Sequence, residues 1–222
     1  MNLGKMFKMQ AELDRRIIKE KGLEGQELLP NIYVALITEL GEFANEGRWF
    51  KHWSDDQQPK TERLIDCSVC NGTGDENHDR IAEEAEGYGG HEYIQCNTCN
   101  GMGYTGTKNP LLEEYVDCIH FFLSIAIKKG WKEELHIPEE AIEDFKDAGI
   151  DGGLSGVFVE MQWSLLNSRM LKDEESKKQH FHIAWGLFLT IGIIGFGFTP
   201  EQIEKAYMDK NAVNHKRQQE GY

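Results

Sequence analysis

The stretches "CSVCNGTG" (67–74) and "CNTCNGMG" (96–103) restrict the fold of this chain more than any other feature. Each is Cys-x-x-Cys followed by Asn-Gly-x-Gly. Two intervening residues let both thiolates of a pair reach one tetrahedral ion, and the glycines permit the tight turn behind them. Cys67, Cys70, Cys96 and Cys99 therefore predict one structural Zn²⁺ site inside a hairpin-like ribbon. Two disulfides are the competing use of these residues, and a reducing compartment disfavours them. Four sulfur ligands leave no open position, so catalytic zinc is not expected. Cys118 lies in apolar sequence and reads as a core residue.

The ribbon interrupts helical sequence. Met6, Met9, Leu13 and Ile17 recur at helical spacing over 5–21, and Gly22 and Gly25 close that helix. A longer helix is expected over 31–53, with Asn31 as its cap. Residues 111–129 are strongly helical and stop at Gly130. Further helices are expected over 138–148, 157–171 and 174–194, and from Thr199-Pro200 to about Gln219, with Pro at the first helical position. The expectation is an all-α domain of residues 1–56 and 110–222, with a zinc-ribbon insertion at 57–109. Forty per cent hydrophobic residues in 222 allow a sizeable core.

A net charge of −14 argues against wrapping a nucleic-acid polymer or lying on an anionic membrane. The run "IAWGLFLTIGIIGFGF" (183–198) is too short and too broken by glycine for a membrane span, and is expected to be buried. The charged N-terminal stretch has no apolar h-region, so neither a signal peptide nor a location outside the cytoplasm is expected.

Acidic residues punctuate two apolar helices. On a helical wheel of roughly 100° per residue, Glu39, Glu42 and Glu46 share a face with Ile32, Leu36, Phe43 and Phe50. Glu114 and Asp117 share a face of a helix that is otherwise almost wholly apolar. Ionised carboxylates buried alone cost several kcal/mol each. The pairs are either solvated or salt-bridged structural acids, with Arg48 and Lys51 as available partners, or, facing inward, a cage of oxygen ligands suited to Mg²⁺ or Mn²⁺, which in turn bind phosphates; the apolar surroundings of both pairs favour the cage. Near the C-terminus, Lys210, Asn214 and Arg217 fall at i, i+4 and i+7 on one helix face, a plausible phosphate clamp with Tyr222 close behind.

Glu39-x-x-Glu42 followed by Glu114-x-x-Asp117 resembles the all-α nucleoside triphosphate pyrophosphatases of the MazG-like superfamily. Within it, "ELGEFANEGRWFKHW", "LLEEYVDCIHFFLSIAI", "MFKMQAELDRRI" and the C-terminal "GFTPEQIEKAYMDKNAVNHKRQQEGY" resemble the dimeric dUTPases. The spacer of 71 residues between the pairs is long for the superfamily, and the ribbon supplies the excess. The resemblance implies hydrolysis of dUTP, and of dUDP, to dUMP, which keeps uracil out of DNA. It implies two or three Mg²⁺ ions on Glu39, Glu42, Glu114 and Asp117, with Glu46 a further candidate ligand. Glu42, or else Glu39, takes the proton of the attacking water. Lys210, Asn214, Arg217 and Tyr222 hold phosphate, and Gln10, Asn45 and Trp53 lie near the base. It also implies a homodimer. The competing readings are another specificity on the same site, such as dCTP or a broad range, and a non-enzymatic zinc-ribbon interaction protein.

Overall fold

The computed structural model describes residues 1–78, 92–138, 141 and 152–221. The helix expected over 138–148 lies almost wholly outside them, and Tyr222 does too. The chain divides into two compact units, Met1–Pro59 with Leu111–Tyr222, and Lys60–Pro110.

Among the described residues the first unit is built from six α-helices: α1 (Leu3–Glu20), α2 (Leu29–Gly47), α3 (Pro110–Lys129), α4 (Gly153–Met170), α5 (Glu174–Thr190) and α6 (Pro200–Gln219). Local chemistry sets most of their ends. Asn2 caps α1 by accepting from Lys5 N–H, and Asp173 caps α5 by accepting from Ser176 N–H. Thr199 and Gln202 form a reciprocal capping box ahead of α6. Gly130, at φ 69°, ends α3 in a conformation that costs glycine little.

Helix α2 departs from expectation at both ends. It begins at Leu29 with Pro30 in its first turn and the apolar Leu28 at the N-cap position, so Asn31 is inside the helix rather than its cap. It ends at Gly47, not at residue 53, because Arg48 adopts a left-handed conformation (φ 60°). Trp49 thereby folds back over Gly47, where any Cβ would strike its ring. Its indole then packs on Phe43, Phe158 and Phe196 at 5.8, 5.4 and 5.6 Å between ring centroids. The gain in aromatic packing outweighs two more turns of helix.

The core is a lattice of aromatic rings. Tyr115 of α3 stacks on Phe188 of α5 at 4.3 Å and touches Phe43 of α2 at 5.4 Å, so one ring locks three helices. Phe122 reaches Trp185 at 5.3 Å, and the Trp185 indole donates to Leu135 O. The run 183–198 forms the end of α5 and a π-helical turn, Ile191–Gly195; it is mostly buried against this lattice as far as Gly192 and half-buried from Ile193 to Phe196. Its glycines have a packing reason: a Cβ on Gly192 would collide with the Tyr115 ring, and one on Gly195 with Leu154. No single helix among the described residues is long and apolar enough to cross a membrane. Helix α6 returns alongside α1, where the Tyr207 hydroxyl lies 3.2 Å from Met6 O.

The second unit holds two strands, β1 (Arg63–Asp66) and β2 (Tyr104–Lys108), paired antiparallel from Arg63↔Lys108 to Asp66↔Tyr104 with a bulge after Ile65. Beyond them the two cysteine turns repeat one another bond for bond. Gly74 N–H and Gly103 N–H donate to Cys70 Sγ and Cys99 Sγ at 3.2 and 3.3 Å. Cys67 N–H donates to Gly103 O, and Cys96 N–H to Gly74 O. Asn71 and Asn100 are both left-handed (φ 48° and 52°). Gly74 and Gly103 each pass so close to the other turn's backbone that a Cβ would strike a carbonyl oxygen. The duplicated sequence is thus a duplicated structure closed on itself.

Candidate active site

Helices α2 and α3 bring three carboxylates together. One oxygen from each of Glu39, Glu42 and Glu114 lies within 4.8 Å of the other two. The buried stripe of α2 is Tyr33, Leu36, Leu40, Phe43, Ala44 and Gly47. Glu39 sits half-buried at its margin and Glu42 is exposed, so the acids flank the apolar face rather than occupy it. Oxygen donors at this spacing suit a hard divalent cation. The electrostatics agree with the donor set. Burial, then Asp117, Glu42 and Glu114, push the Glu39 pKa up to about 7. Burial and then Asp117 push Glu114 up to about 7 as well.

Asp117 stands beside this cluster and is engaged differently. Lys210 Nζ lies 2.6 Å from Asp117 Oδ2 and 3.1 Å from Glu113 Oε1. Burial works against the lysine charge, but Asp117 and Glu113 hold its pKa above the ordinary value. Burial raises the Asp117 pKa, with the lysine opposing. Glu46 is half-buried one turn further along α2, outside the three-acid cluster.

A cavity of about 400 Å³ opens from this point, between α1, α3 and α6, with α2 adding Ile32 and Glu39. Lys210, Asn214 and Arg217 line it together, as their i, i+4, i+7 spacing requires. Gln10 lines it too, with its amide fully used. Its Nε2 donates to Asp14 Oδ1 (2.8 Å) and Ser124 Oγ (3.0 Å), and its Oε1 accepts from His120 Nδ1–H (2.6 Å) and Tyr207 O–H (3.0 Å). Asn45 and Trp53 are exposed and are not among the residues lining the cavity; the Trp53 ring packs on Phe50 and His52. Sequence reasoning missed Glu113, Asp14, His120 and Ser124. The periodicity that marked Glu114 and Asp117 continues through His120 and Ser124 on α3, so the information was present as spacing.

In the second unit, Cys67, Cys70, Cys96 and Cys99 are buried, unoxidised and within 4.8 Å of one another. Cys67 and Cys96 sulfurs are 3.8 Å apart, and Cys70 and Cys99 sulfurs 3.7 Å. These are not disulfide distances. Four sulfurs at ~2.3 Å around a tetrahedral ion lie about 3.8 Å apart, so the donor set fits zinc.

A helical bundle with crowded carboxylates at one end of a cavity, and a lysine and an arginine along its wall, has the makings of a metal-assisted hydrolase of phosphorylated substrates. Comparison supplies the family. The dUTPase family model matches residues 2–68 and 103–222, and the chain belongs to that all-α family. Its activity is that of a dUTP diphosphatase, in a family dependent on divalent metal, which decides against a non-enzymatic interaction protein. The unmatched stretch, 69–102, falls within the second unit. No curated protein matches the chain.

The crowding of acids has a consequence for stability. Glu39 and Glu114 carry folded pKa values of about 7 against an ordinary 4.5. The folded state therefore binds more protons than the unfolded one, and stability falls as pH rises from 4.5 to 7. Without added divalent cation, Tm is expected to fall between about pH 5 and 8, and Mg²⁺ should restore it at about pH 8. Glu39→Gln should flatten the decline and raise Tm at the alkaline end, by about 2–4 °C per kcal/mol of repulsion relieved. Thermal denaturation across pH checks this; an identical slope in wild type and Glu39→Gln would overturn it.

Proposed function

We propose that this chain hydrolyses dUTP, and also dUDP, in a reaction that requires Mg²⁺ held between α2 and α3. The observation that carries the reading is the cluster of Glu39, Glu42 and Glu114, whose Glu39 lines the same cavity as Lys210 and Arg217. Glu39, Glu42, Glu114 and, on release from Lys210, Asp117 are the proposed ligands of two or three ions, with Glu46 a further one. Bound there, Mg²⁺ supplies charge neutralisation for the phosphate oxygens and their transition state. The chain's own groups do the rest. In a protein of net charge −14, an anionic nucleotide needs local cations, and Lys210 and Arg217 provide them on one helix face, with Asn214 between. Tyr222, outside the described residues, is assigned to the same phosphates by the family resemblance. Water attacks phosphorus in line, and a cage carboxylate takes its proton. Glu42, the exposed member of the cluster, is best placed to meet solvent; Glu39 is the alternative base.

On the base side, Gln10 is proposed to act by orienting His120 and Asp14. Asn45 and Trp53 are assigned to the base by the family resemblance, and Trp53 has the exposed ring that stacking requires. The cytoplasm, where dUTP competes for incorporation into DNA, is the proposed location.

The proposed assembly is a homodimer. Val159, Trp163, Leu166 and Met170 recur at i, i+4, i+7 and i+11 along α4, all exposed. Helix α2, tied to α4 by Tyr33 O–H and Ser168 Oγ at 2.9 Å, adds exposed Val34. Such a stripe is the kind of surface a second copy covers.

Three measurements test these proposals. Glu42→Gln should lower Mg²⁺-dependent pyrophosphate release from dUTP at least a hundredfold while leaving far-ultraviolet circular dichroism unchanged; retained activity would remove Glu42 from the chemistry. Metal analysis should find one zinc per chain, lost in Cys70→Ser, with the dichroism of the helices retained; a zinc-free, fully structured ribbon would refute the site. Trp163→Glu should convert a dimer into a monomer in sedimentation; an unchanged mass would place the interface elsewhere.

A further inference from the structure

One of the four acids that spacing predicts for the metal cage is engaged elsewhere. Glu39, Glu42 and Glu114 converge within 4.8 Å, whereas Asp117 is held by a lysine. Asp117 nonetheless stands beside them: after burial, it is the strongest influence on the ionisation of both Glu39 and Glu114. Lys210 Nζ reaches across from α6, lies 2.6 Å from Asp117 Oδ2 and donates to Glu113 Oε1 at 3.1 Å. The two acids are four residues apart on α3, so they share a face and one ammonium spans them. They are not equivalent. The Asp117 side chain is 14% exposed and lines the cavity. That of Glu113 is 29% exposed, sits in the first turn of α3 and is not among the lining residues.

A divalent cation changes what this lysine needs. If Asp117 turns to a cation held by Glu39, Glu42 and Glu114, it no longer neutralises Lys210. A side chain only 11% exposed would then carry an unpaired ammonium beside a second positive charge, which is unfavourable. Glu113 offsets that without any movement of the backbone, because its carboxylate is already within hydrogen-bond distance. An ammonium has three N–H donors. The donor that Asp117 gives up becomes available on the cavity side, where Asn214 and Arg217 stand on the same helix.

We propose that Glu113 is a positioning residue, which holds Lys210 beside the cavity when Asp117 leaves it for the metal cage and so turns the freed N–H donor to substrate phosphate. Lys210 thereby has two settings. Without the cation, it neutralises Asp117 and steadies the crowded acids. With the cation, it leans on Glu113 alone and faces phosphate. Metal uptake and phosphate capture are then linked through one side chain, each favouring the other. This rests on the reading of the four acids as a Mg²⁺ site. Glu113 touches neither ion nor substrate; it acts only through Lys210.

The test is a double-mutant cycle on the substrate-free full chain, with Mg²⁺ binding followed by calorimetry. Glu113→Gln keeps the shape and removes the charge, and should weaken Mg²⁺ binding about fivefold. Lys210→Gln should strengthen it. In the Lys210→Gln background, adding Glu113→Gln should change the affinity by less than about twofold. A Glu113 that ligates the ion itself, or attracts it by charge alone, would weaken binding by the same factor in both backgrounds, and that result would overturn the proposal. Inorganic pyrophosphate, titrated at saturating Mg²⁺, reads the phosphate side. Glu113→Gln should weaken its binding about fivefold, and an unchanged affinity would overturn the proposal. Glu113→Asp restores the charge and should bring both affinities back toward wild type; if it binds as weakly as Glu113→Gln, charge is not the cause and the assignment fails. Neither titration uses dUTP, so failure to hydrolyse dUTP would refute the proposed function without touching the cycle. Mg²⁺ binding by wild type with no coupling between positions 113 and 210 would refute this assignment alone, and a wild type that takes up no Mg²⁺ would refute both.

Discussion

The constraint on which the helical unit depends is mutual repulsion among acids at the α2–α3 crossing. Glu39, Glu42 and Glu114 are held within 4.8 Å, and burial together with that repulsion brings two of them to pKa values near neutrality. Such crowding persists only where surrounding packing over-determines it. Here the packing is aromatic. Tyr115, next to Glu114, is wedged between Phe43 and Phe188, and Phe43 is one residue from Glu42. The rings that fix the backbones therefore fix the carboxylates, and only a residue without a Cβ at position 192 leaves Tyr115 room to sit there. Core and site are one construction viewed from two sides.

Charge is handled by position rather than by net balance. The chain carries −14, yet Lys210 is drawn into the site by Asp117 and Glu113, and Arg217 stands along the same cavity. In the proposed reaction an anionic substrate would meet these cations where it binds and the acids where metal would bridge it. The Lys210–Asp117 pair ties the two together: one ammonium both lowers the repulsion among the acids and faces the cavity where phosphate would lie.

The ribbon obeys separate rules. Its strands are short and its β1 residues exposed, so little apolar area closes it. Two turns of matching geometry share four sulfurs and exchange backbone hydrogen bonds, and a metal there would substitute for the missing core. The family match skips most of this stretch, which fits an addition to an all-α enzyme rather than part of its chemistry.

Much of this protein was legible in the sequence alone. The paired Cys-x-x-Cys-Asn-Gly-x-Gly turns, the helix ends marked by Thr199-Pro200 and Gly130, the two acidic pairs and the Lys210–Asn214–Arg217 face all follow from local spacing, because side chains three and four apart on a helix must share a face. Tertiary structure decided what spacing does not encode. The end of α2 at Gly47 was unreadable because the favourable partners of Trp49 are Phe158 and Phe196, far along the chain. The pairing of Asp117 with Lys210 joins α3 to α6, and the Gln10–His120 bond joins residues separated by 110 positions. Which acids face one another, which cation answers them and which polar groups line the cavity depend on how helices cross, and crossing is set by the whole core rather than by any one segment.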